Sequence, residues 1–337
     1  MCSYRKILAA LGVVLASLFE TATAAPASAS KPNVLFIVAD DLRPDLGCYG
    51  NRSVHSPNLD RLARDGVVFT RAYCQFALCN PSRASVLTGL RPDATGVLDN
   101  GSHVRDASAE IVTLPQFFRN HGYHTQGLGK IFHPGRDDPR SWSAPHWDPQ
   151  HSSIDTKGEA LVREMAAYYG AEGRAIVQRR ADDAIKAGKS LASLSRRDLV
   201  GPAWEIADVD DDALVDGQVA RRAIDVLREV KDRPFFLAVG FLKPHLPFSA
   251  PKKYWDLYPP EKIDIGSHRP PKDAPACALH EWSELRACFG MPRTGPVSAD
   301  QARQLIRGYR AATSLSLIHI SEPTRLRRIS YAVFCLK

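Results

Sequence analysis

The chain has 337 residues, of which 44% are hydrophobic, 8% aromatic and 24% charged. This composition is typical of a globular protein with one large or two smaller domains, and it argues against disorder over most of the length. The formal charge is +7, but residues 1–29 carry +1 of it and residues 315–337 carry +3, so the body carries only about +3. That small excess argues against a nucleic-acid-binding or membrane-surface protein.

The N-terminus has the pattern of a secretory signal peptide. Arg5 and Lys6 precede the apolar run ILAALGVVLASLF, and small residues with A-x-A patterns ending at Ala24 or Ala29 follow it. The apolar run is too short to cross a bilayer comfortably. We therefore predict a cleaved signal peptide over 1–29 and an exported protein without a membrane anchor. Its location would be secreted or periplasmic, or lysosomal in an animal source.

Strands alternate with helices along the body, which predicts an α/β fold with layers packed as a sandwich. NVLFIVADD predicts a buried strand, and SPNLDRLARDG predicts a short helix with Ser56 as N-cap and Gly66 as its stop. The further predicted elements are a strand in VVFTRAY, a helix in TLPQFFRNHGY, a strand in HTQGLGKIF, a long amphipathic helix over 211–230 and a buried strand in PFFLAVGF. We interpret the less regular residues 136–210 as an insertion over the edge of the sheet.

The last residues of the chain do not continue the preceding pattern. DQARQLIRGYRAATS indicates a helix in progress, whereas LSLIHISEPTR resembles a translated sequencing-library adapter and ISYAVFCLK resembles the second end of that adapter. A natural basic C-terminal segment is the alternative, but two matching pieces occur in the correct order. We therefore predict that the native sequence is readable to about Ser314 and that 315–337 is a non-native tail.

Two adjacent carboxylates, Asp40 and Asp41, end the first predicted strand. Such a pair is costly unless a cation or a helix N-terminus neutralises it, and hard oxygen ligands suit Ca²⁺ or Mg²⁺. Ligand sites of open α/β sheets lie at the carboxyl ends of the strands. A solvated turn is the alternative to a metal site.

The stretch FALCNPSRASVLTG places Cys79 at the start of a predicted helix. The helix dipole and free N–H groups favour an anion at that point, and Arg83 on the first turn can reach back toward it. A buried inert cysteine with an exposed arginine is one alternative. A cysteine-nucleophile hydrolase with His124, His133 or His245 as its base is another.

Two lysine–histidine sets follow predicted strands. Lys130 and His133 lie in GKIFHPG, and Lys243 and His245 lie in LKPHLPF. Lysines supply a point charge and histidines can pass protons. With Arg83 and the helix N-terminus, these side chains predict a site for an oxyanion such as sulfate or phosphate.

The cysteines of the body do not form a C-x-x-C pair, so the sequence does not support a zinc knuckle. In an oxidising compartment Cys277 and Cys288 are close enough in sequence to close a short disulfide loop. Spacing alone does not establish that pairing.

These motifs together resemble the type I sulfatases. Residues 79–83 match the family core C-x-P-S-R, and NVLFIVADDLRPDLGCYG, LGKIFHPG and PFFLAVGFLKPHLPF resemble the iduronate-2-sulfatase branch and its bacterial relatives. The resemblance covers about residues 32–314. It implies an alkaline-phosphatase-like sandwich with a central, mostly parallel sheet flanked by helices. It also implies a sulfuric ester hydrolase for sulfated uronic acids of glycosaminoglycan-like polysaccharides. Another sulfated glycan, or a phosphate or phosphonate ester, is the alternative substrate.

The resemblance also implies roles for the site residues. A separate formylglycine-generating enzyme would convert Cys79 to formylglycine, whose hydrated aldehyde attacks the sulfur of the sulfate ester. The implied metal ligands for Ca²⁺ or Mg²⁺ are Asp40, Asp41 and the modified Cys79. The other implied roles are positioning of the hydrate by Arg83, sulfate binding by Lys130 and Lys243, assistance to the formylglycine hydroxyl by His133, and protonation of the leaving alcohol by His245.

The sequence departs from the family in its later part. The remaining metal ligands of a DHG-like motif, a further lysine and the smaller C-terminal domain are not found. We therefore interpret 30–314 as an incomplete N-terminal catalytic domain and expect the 337-residue chain itself to be inactive. The natural gene product is expected to be an exported sulfatase, and the DNA beyond codon 314 would test this. A non-catalytic carbohydrate-binding protein is the alternative from another class.

Overall fold

The strands and helices come from a computed structural model that describes residues 31–149, 159–267, 272–278, 282–318 and 329–336. The predicted signal peptide lies outside the described residues. From Asn33 onwards the chain forms one compact unit. In the described part of the chain, no helix is both long and apolar enough to span a bilayer.

The secondary structure alternates in the way that the sequence predicts. The strands are β1 (Asn33–Asp40), β2 (His124–Gly129), β3 (Trp204–Ala207), β4 (Phe235–Phe241), β5 (Phe248–Pro251) and β6 (Ile329–Leu336). The helices are α1 (Pro57–Asp65), α2 (Cys79–Thr88), α3 (Pro92–Thr95), α4 (Leu114–Asn120), α5 (Glu159–Ala166), α6 (Ala171–Lys186), α7 (Arg196–Leu199), α8 (Val215–Val230), α9 (Lys252–Trp255), α10 (Ser283–Ala287) and α11 (Ala299–Ile318).

The central sheet has the order β2-β4-β1-β6, and its neighbouring strands are parallel. In register, Val34 of β1 lies opposite Phe236 of β4, and Thr125 of β2 lies opposite the same residue. Parallel strands covered on both faces require apolar side chains along nearly their whole length, which is the pattern of β1 and β4. The predicted α/β fold with a parallel sheet between helices is confirmed.

Helices cover both faces of the sheet. On one face Leu35 and Ile37 of β1 pack with the apolar stripe of α8, which includes Val219 and Val226. On the other face the alternate β1 residues pack with α2, where Leu87 is fully buried, and with α4. Burying one such aliphatic side chain stabilises the fold by about 1.5–3 kcal/mol. These layers fix the strand ends, and the loops that follow them, relative to α2.

A second parallel sheet of β3 and β5, which the sequence did not predict, lies against α11. Residues 136–210, interpreted as an insertion, contain α5, α6, α7 and β3. The three helices have a small core of their own around Tyr168 and Val177.

Two expectations from the sequence are wrong. VVFTRAY forms no strand, and its large side chains Val67, Phe69 and Tyr73 are exposed. Its alternation of apolar and polar residues is typical of a strand, but no neighbouring strand pairs with it among the described residues. Cys277 and Cys288 form no disulfide: Cys277 is exposed, Cys288 is buried, and both are free thiols.

The predicted boundary at Ser314 lies within a helix. α11 continues through it to Ile318, and β6 pairs in parallel with β1 over its full length, from Ile329 opposite Asn33 to Leu336 opposite Asp40. A β-branched and aromatic stretch such as ISYAVFCL favours a strand whatever its origin. The non-native origin of 315–337 stays a prediction.

Candidate active site

The carboxyl ends of the parallel strands bring together residues that are distant in sequence. Asp40 is the last residue of β1, and Lys130 directly follows β2. Lys243 and His245 lie in the loop after β4, and Cys79 begins α2. Because these strands run in the same direction, the loops after them meet at one edge, where ligands of open α/β sheets bind.

Asp40 is the charged centre of this edge and is completely buried. Arg83 Nη2 donates to its Oδ1 at 2.6 Å, and Lys130 Nζ contacts its Oδ2. Burial alone raises the pKa of Asp40, but Lys130 and Arg83 outweigh burial and hold that pKa well below its usual range. Asp40 is therefore a carboxylate with two cations on it.

Arg83 also joins α2 to the loop after β2. Its Nη1 donates to the carbonyl oxygens of Lys130 at 2.6 Å and Ile131 at 2.9 Å. The chain can turn sharply there because Gly129 has a φ of 67°, in the left-handed region that favours glycine. A Cβ at Gly129 would overlap the carbonyl oxygen of Gly240 in β4. Arg83 is only 1% exposed, which contradicts the alternative of an inert cysteine beside an exposed arginine.

Cys79 lies at the start of α2, half-buried beside this centre. Its Sγ, a carboxylate oxygen of Asp40 and a ring nitrogen of His245 all lie within 4.8 Å of one another. Burial and the charge of Asp40 raise the pKa of the Cys79 thiol to about 11. Because the thiolate is the nucleophilic form, this environment disfavours the cysteine-hydrolase alternative. His124, one candidate base for that alternative, begins β2 and therefore lies at the opposite end of the strand.

His245 turns one ring nitrogen toward the centre. Its Nδ1 lies 2.6 Å from the carbonyl oxygen of Leu246, and a carbonyl only accepts, so Nδ1 is the donor. Its Nε2 then faces Asp41 Oδ2 at 3.9 Å and Glu284 Oε1 at 3.5 Å. Arg196 Nη1 holds the same Glu284 oxygen at 2.5 Å.

Lys243 is buried with its ammonium on backbone oxygens. Nζ donates to the carbonyl of Pro247 at 2.6 Å, and burial lowers the pKa of Lys243 to about 8. Its backbone N–H and that of Leu242 donate to the buried carboxylate of Asp216, at 2.9 and 2.7 Å. Of the two lysines of the predicted oxyanion site, it is therefore Lys130, and not Lys243, whose ammonium contacts the Asp40 carboxylate.

His133 lies in the loop after Lys130. Among the described residues, its buried Nδ1 has no hydrogen-bond partner. Burial, with the charges of Lys130 and Arg83, lowers the pKa of His133 to about 4. The ring is therefore neutral near pH 7 and can accept a proton from a group placed beside it.

The donor set fits one side of a site for a hard cation. Asp40 and Asp41 supply carboxylate oxygens, and Asp41, His245 and Glu284 also have ligand atoms within 4.8 Å of one another. Burial raises the pKa of Asp41, and the neighbouring charge of Asp40 raises it further. A divalent cation would offset that repulsion, and oxygen donors of this kind are those that Ca²⁺ and Mg²⁺ prefer.

Comparison with known proteins gives the family. A family model described as Sulfatase matches residues 32–269. The chain belongs to the sulfatase family. Mouse iduronate 2-sulfatase is 35% identical over 310 residues, which are 88% of this chain and 51% of the mouse protein. A sulfatase of Formosa agariphila is 32% identical over 294 residues, 84% of this chain and 53% of that protein.

A solved structure has the same fold. The phosphonate monoester hydrolase of Agrobacterium radiobacter is 26% identical to this chain with a TM-score of 0.57, over 90% of this chain and 62% of that one. The sequence-based prediction of the sulfatase family and of its alkaline-phosphatase-like sandwich is confirmed. This sulfatase chain spans about half the length of the curated relatives that it matches.

Three residues of the sulfatase site were not found from the sequence. Glu284 and Arg196 lie on short helices, in segments without a recognisable motif. Asp216 lies in the first turn of the amphipathic helix α8, where an acidic residue has an ordinary helix-dipole explanation. Nothing local distinguishes these residues, because their partners lie 26 or more positions away along the chain.

Asp216 gives a test of how the loop after β4 is held. Asp216→Asn keeps one acceptor oxygen but points an NH₂ group at a backbone N–H. We expect a loss of about 1–3 kcal/mol in the free energy of unfolding, the usual cost of an unsatisfied buried group. Urea denaturation at neutral pH measures it, with exposed Asp212→Asn four residues earlier as the control. Equal stability of the two variants would contradict this role.

Proposed function

We propose that this sulfatase-family protein is a sulfuric ester hydrolase that removes sulfate from sulfated uronic acid residues of polysaccharides, with iduronate-2-sulfate-like groups as the substrate class. One observation carries the proposal. Cys79 of the C-x-P-S-R motif lies beside the buried Asp40, where Arg83 and Lys130 supply cationic groups. The 35% identity to mouse iduronate 2-sulfatase supports the substrate class.

Two groups added to the chain would supply the reactive chemistry. Formylglycine made from Cys79 provides a hydrated aldehyde as the nucleophile toward sulfur, and bound Ca²⁺ or Mg²⁺ offsets negative charge on the sulfuryl group. Asp40, Asp41 and the modified side chain at position 79 would hold the metal.

The chain's own residues position the reacting groups, bind the sulfate and transfer protons. Arg83 fixes the first turn of α2 against the loop after β2 through its bonds to Lys130 and Ile131. The Lys130 ammonium lies at the centre and binds a sulfate oxygen. His133, neutral near pH 7, accepts a proton from the nucleophilic hydroxyl and returns it.

Release of the alcohol requires a proton at the bridging oxygen. Nδ1–H of His245 stays on Leu246 while Nε2 faces the centre, so the proton that His245 gives is a second one carried on Nε2, and the ring returns to its Nδ1–H form afterwards. Lys243 contributes positive charge without a direct bond to the central carboxylate, since its ammonium donates to the carbonyl oxygen of Pro247. We propose sulfate binding through Lys130 directly and through Lys243 at longer range.

A phosphonate or phosphate ester is the second candidate substrate. The similarity to the phosphonate monoester hydrolase of Agrobacterium radiobacter favours it, and tetrahedral oxyanion esters share the same need for cations. Parallel assays with a sulfated uronic acid disaccharide and a phosphonate monoester separate the two, since the proposed function requires a higher kcat/KM for the sulfate ester.

The proposal includes a maturation partner and an exported location. A formylglycine-generating enzyme would read the C-x-P-S-R segment, and export to the exterior or the periplasm would follow from the predicted signal peptide.

Mass spectrometry of residues 71–91 tests the nucleophile. We expect co-expression with a formylglycine-generating enzyme to lower the mass of this peptide, because an aldehyde replaces the thiol of Cys79. Sulfate release from a sulfated uronic acid disaccharide is then measured with and without this co-expression, and the proposed function requires that turnover occur only when the peptide is modified. An active enzyme with an unmodified Cys79 thiol would contradict the sulfatase mechanism.

A further inference from the structure

The hydroxyl of Tyr309 bridges the turn that follows β1. It accepts a hydrogen bond from the backbone N–H of Arg43 at 2.7 Å and donates to the carbonyl oxygen of Asp41 at 2.9 Å. Tyr309 lies on α11, 268 positions from Asp41 along the chain. Its ring packs edge-to-face on Phe248 of β5, with centroids 5.6 Å apart. A single rigid side chain therefore holds both sides of the turn.

The turn needs such support because Asp41 has an unfavourable backbone conformation. Its φ is 57°, in the left-handed region that non-glycine residues adopt uncommonly. The chain turns at this residue directly after β1, and the Asp41 carboxylate faces His245 Nε2 at 3.9 Å. Residues held in such regions persist when the surrounding structure fixes them.

We propose that Tyr309 is a positioning residue that holds the Asp41 turn in the conformation that directs its carboxylate into the metal site. The role rests on the proposed function, in which Asp41 is a metal ligand. Because a ligand that is already oriented loses less freedom on binding, the hydroxyl raises the affinity for the cation. The long helix α11 is thereby connected to the nucleophile's side of the active site.

Tyr309→Phe tests this with two measurements on the 337-residue chain. The ring and its packing on Phe248 remain, so the fold should persist, and thermal melting checks this. We expect faster hydrogen exchange at the Arg43 amide, which loses its acceptor. By calorimetric titration with Ca²⁺ alone, we expect affinity about three- to tenfold weaker, the scale of one hydrogen bond. Tyr168→Phe is the matched control, because its hydroxyl donates to Pro202 at 2.9 Å in a different core.

The outcomes separate the role of Tyr309 from the proposed function. Wild-type chain without any Ca²⁺ affinity would contradict the proposal that the described residues of this chain are themselves enough to bind the cation and, with it, the role of Tyr309. If Tyr309→Phe keeps the wild-type Ca²⁺ affinity and the wild-type exchange rate at the Arg43 amide, the role of Tyr309 is overturned while the proposed function stands. The same holds if Tyr168→Phe loses as much Ca²⁺ affinity as Tyr309→Phe. In an Asp41→Ala background, Tyr309→Phe should have no further effect on Ca²⁺ affinity, and an additional loss there would show that Tyr309 acts elsewhere.

Discussion

Cys79→Ala is expected to abolish sulfate release in a form of this protein that is active with Cys79 in place. The substitution removes the thiol whose oxidation by the maturation enzyme turns Cβ into the aldehyde, while α2 keeps its first turn because Arg83 still holds it on Asp40, Lys130 and Ile131. Loss of the nucleophile in covalent catalysis lowers kcat by about 10⁴-fold or more. The release of sulfate from a sulfated uronic acid disaccharide measures it, with the folded state checked by thermal melting.

Cys79→Ser separates the aldehyde from a simple nucleophile. A serine ester of sulfate has no second hydroxyl from which to expel the sulfate, so we expect at most one turnover per chain, in a host whose maturation enzyme acts on cysteine. Cys74→Ala is the matched control, since it removes a thiol from the same peptide without touching the centre. Multiple turnovers by Cys79→Ser, or a loss as large in Cys74→Ala, would contradict the assignment of Cys79.

The half of the site that lies at strand ends could be predicted from the sequence. Apolar runs in the sequence predict buried parallel strands. Asp40 is the last residue of one such strand, and Lys130 directly follows another. A helix start at Cys79 was also visible, because Pro81, Ser82 and a stretch of small residues follow it directly. The rule that ligands bind at carboxyl strand ends then sufficed to bring these residues together.

The rest of the site depends on contacts that no local pattern encodes. Glu284 and Tyr309 reach the centre from segments that follow the second sheet, and that sheet has strands of only four residues. Such short strands have too few positions for a period of two to be recognised. For VVFTRAY the sequence predicted a strand that the structure does not contain. Its residue pattern favours a strand, but a strand forms only where another segment pairs with it.

The largest expected effect on stability comes from Asp40→Ala. Arg83 and Lys130 would then remain in the protein interior without their carboxylate, and removal of one partner from a buried ion pair costs about 3–5 kcal/mol. Chemical denaturation of the 337-residue chain measures the loss. Asp225→Ala, which removes the exposed partner of Arg228, should change the stability little because solvent screens that pair.

A double variant distinguishes charge burial from metal binding at Asp40. In Asp40→Asn/Lys130→Met the carboxylate and one buried cation leave together, so we expect part of the stability lost in Asp40→Asn to return. Ca²⁺ affinity should stay low, because a carboxylate ligand is still missing. Recovery of both properties would contradict the metal role of Asp40. Recovery of neither would show that the ion pair with Lys130 is not what stabilises the centre. Recovery of stability alone is the result that the geometry predicts, since one carboxylate serves as both counterion and ligand.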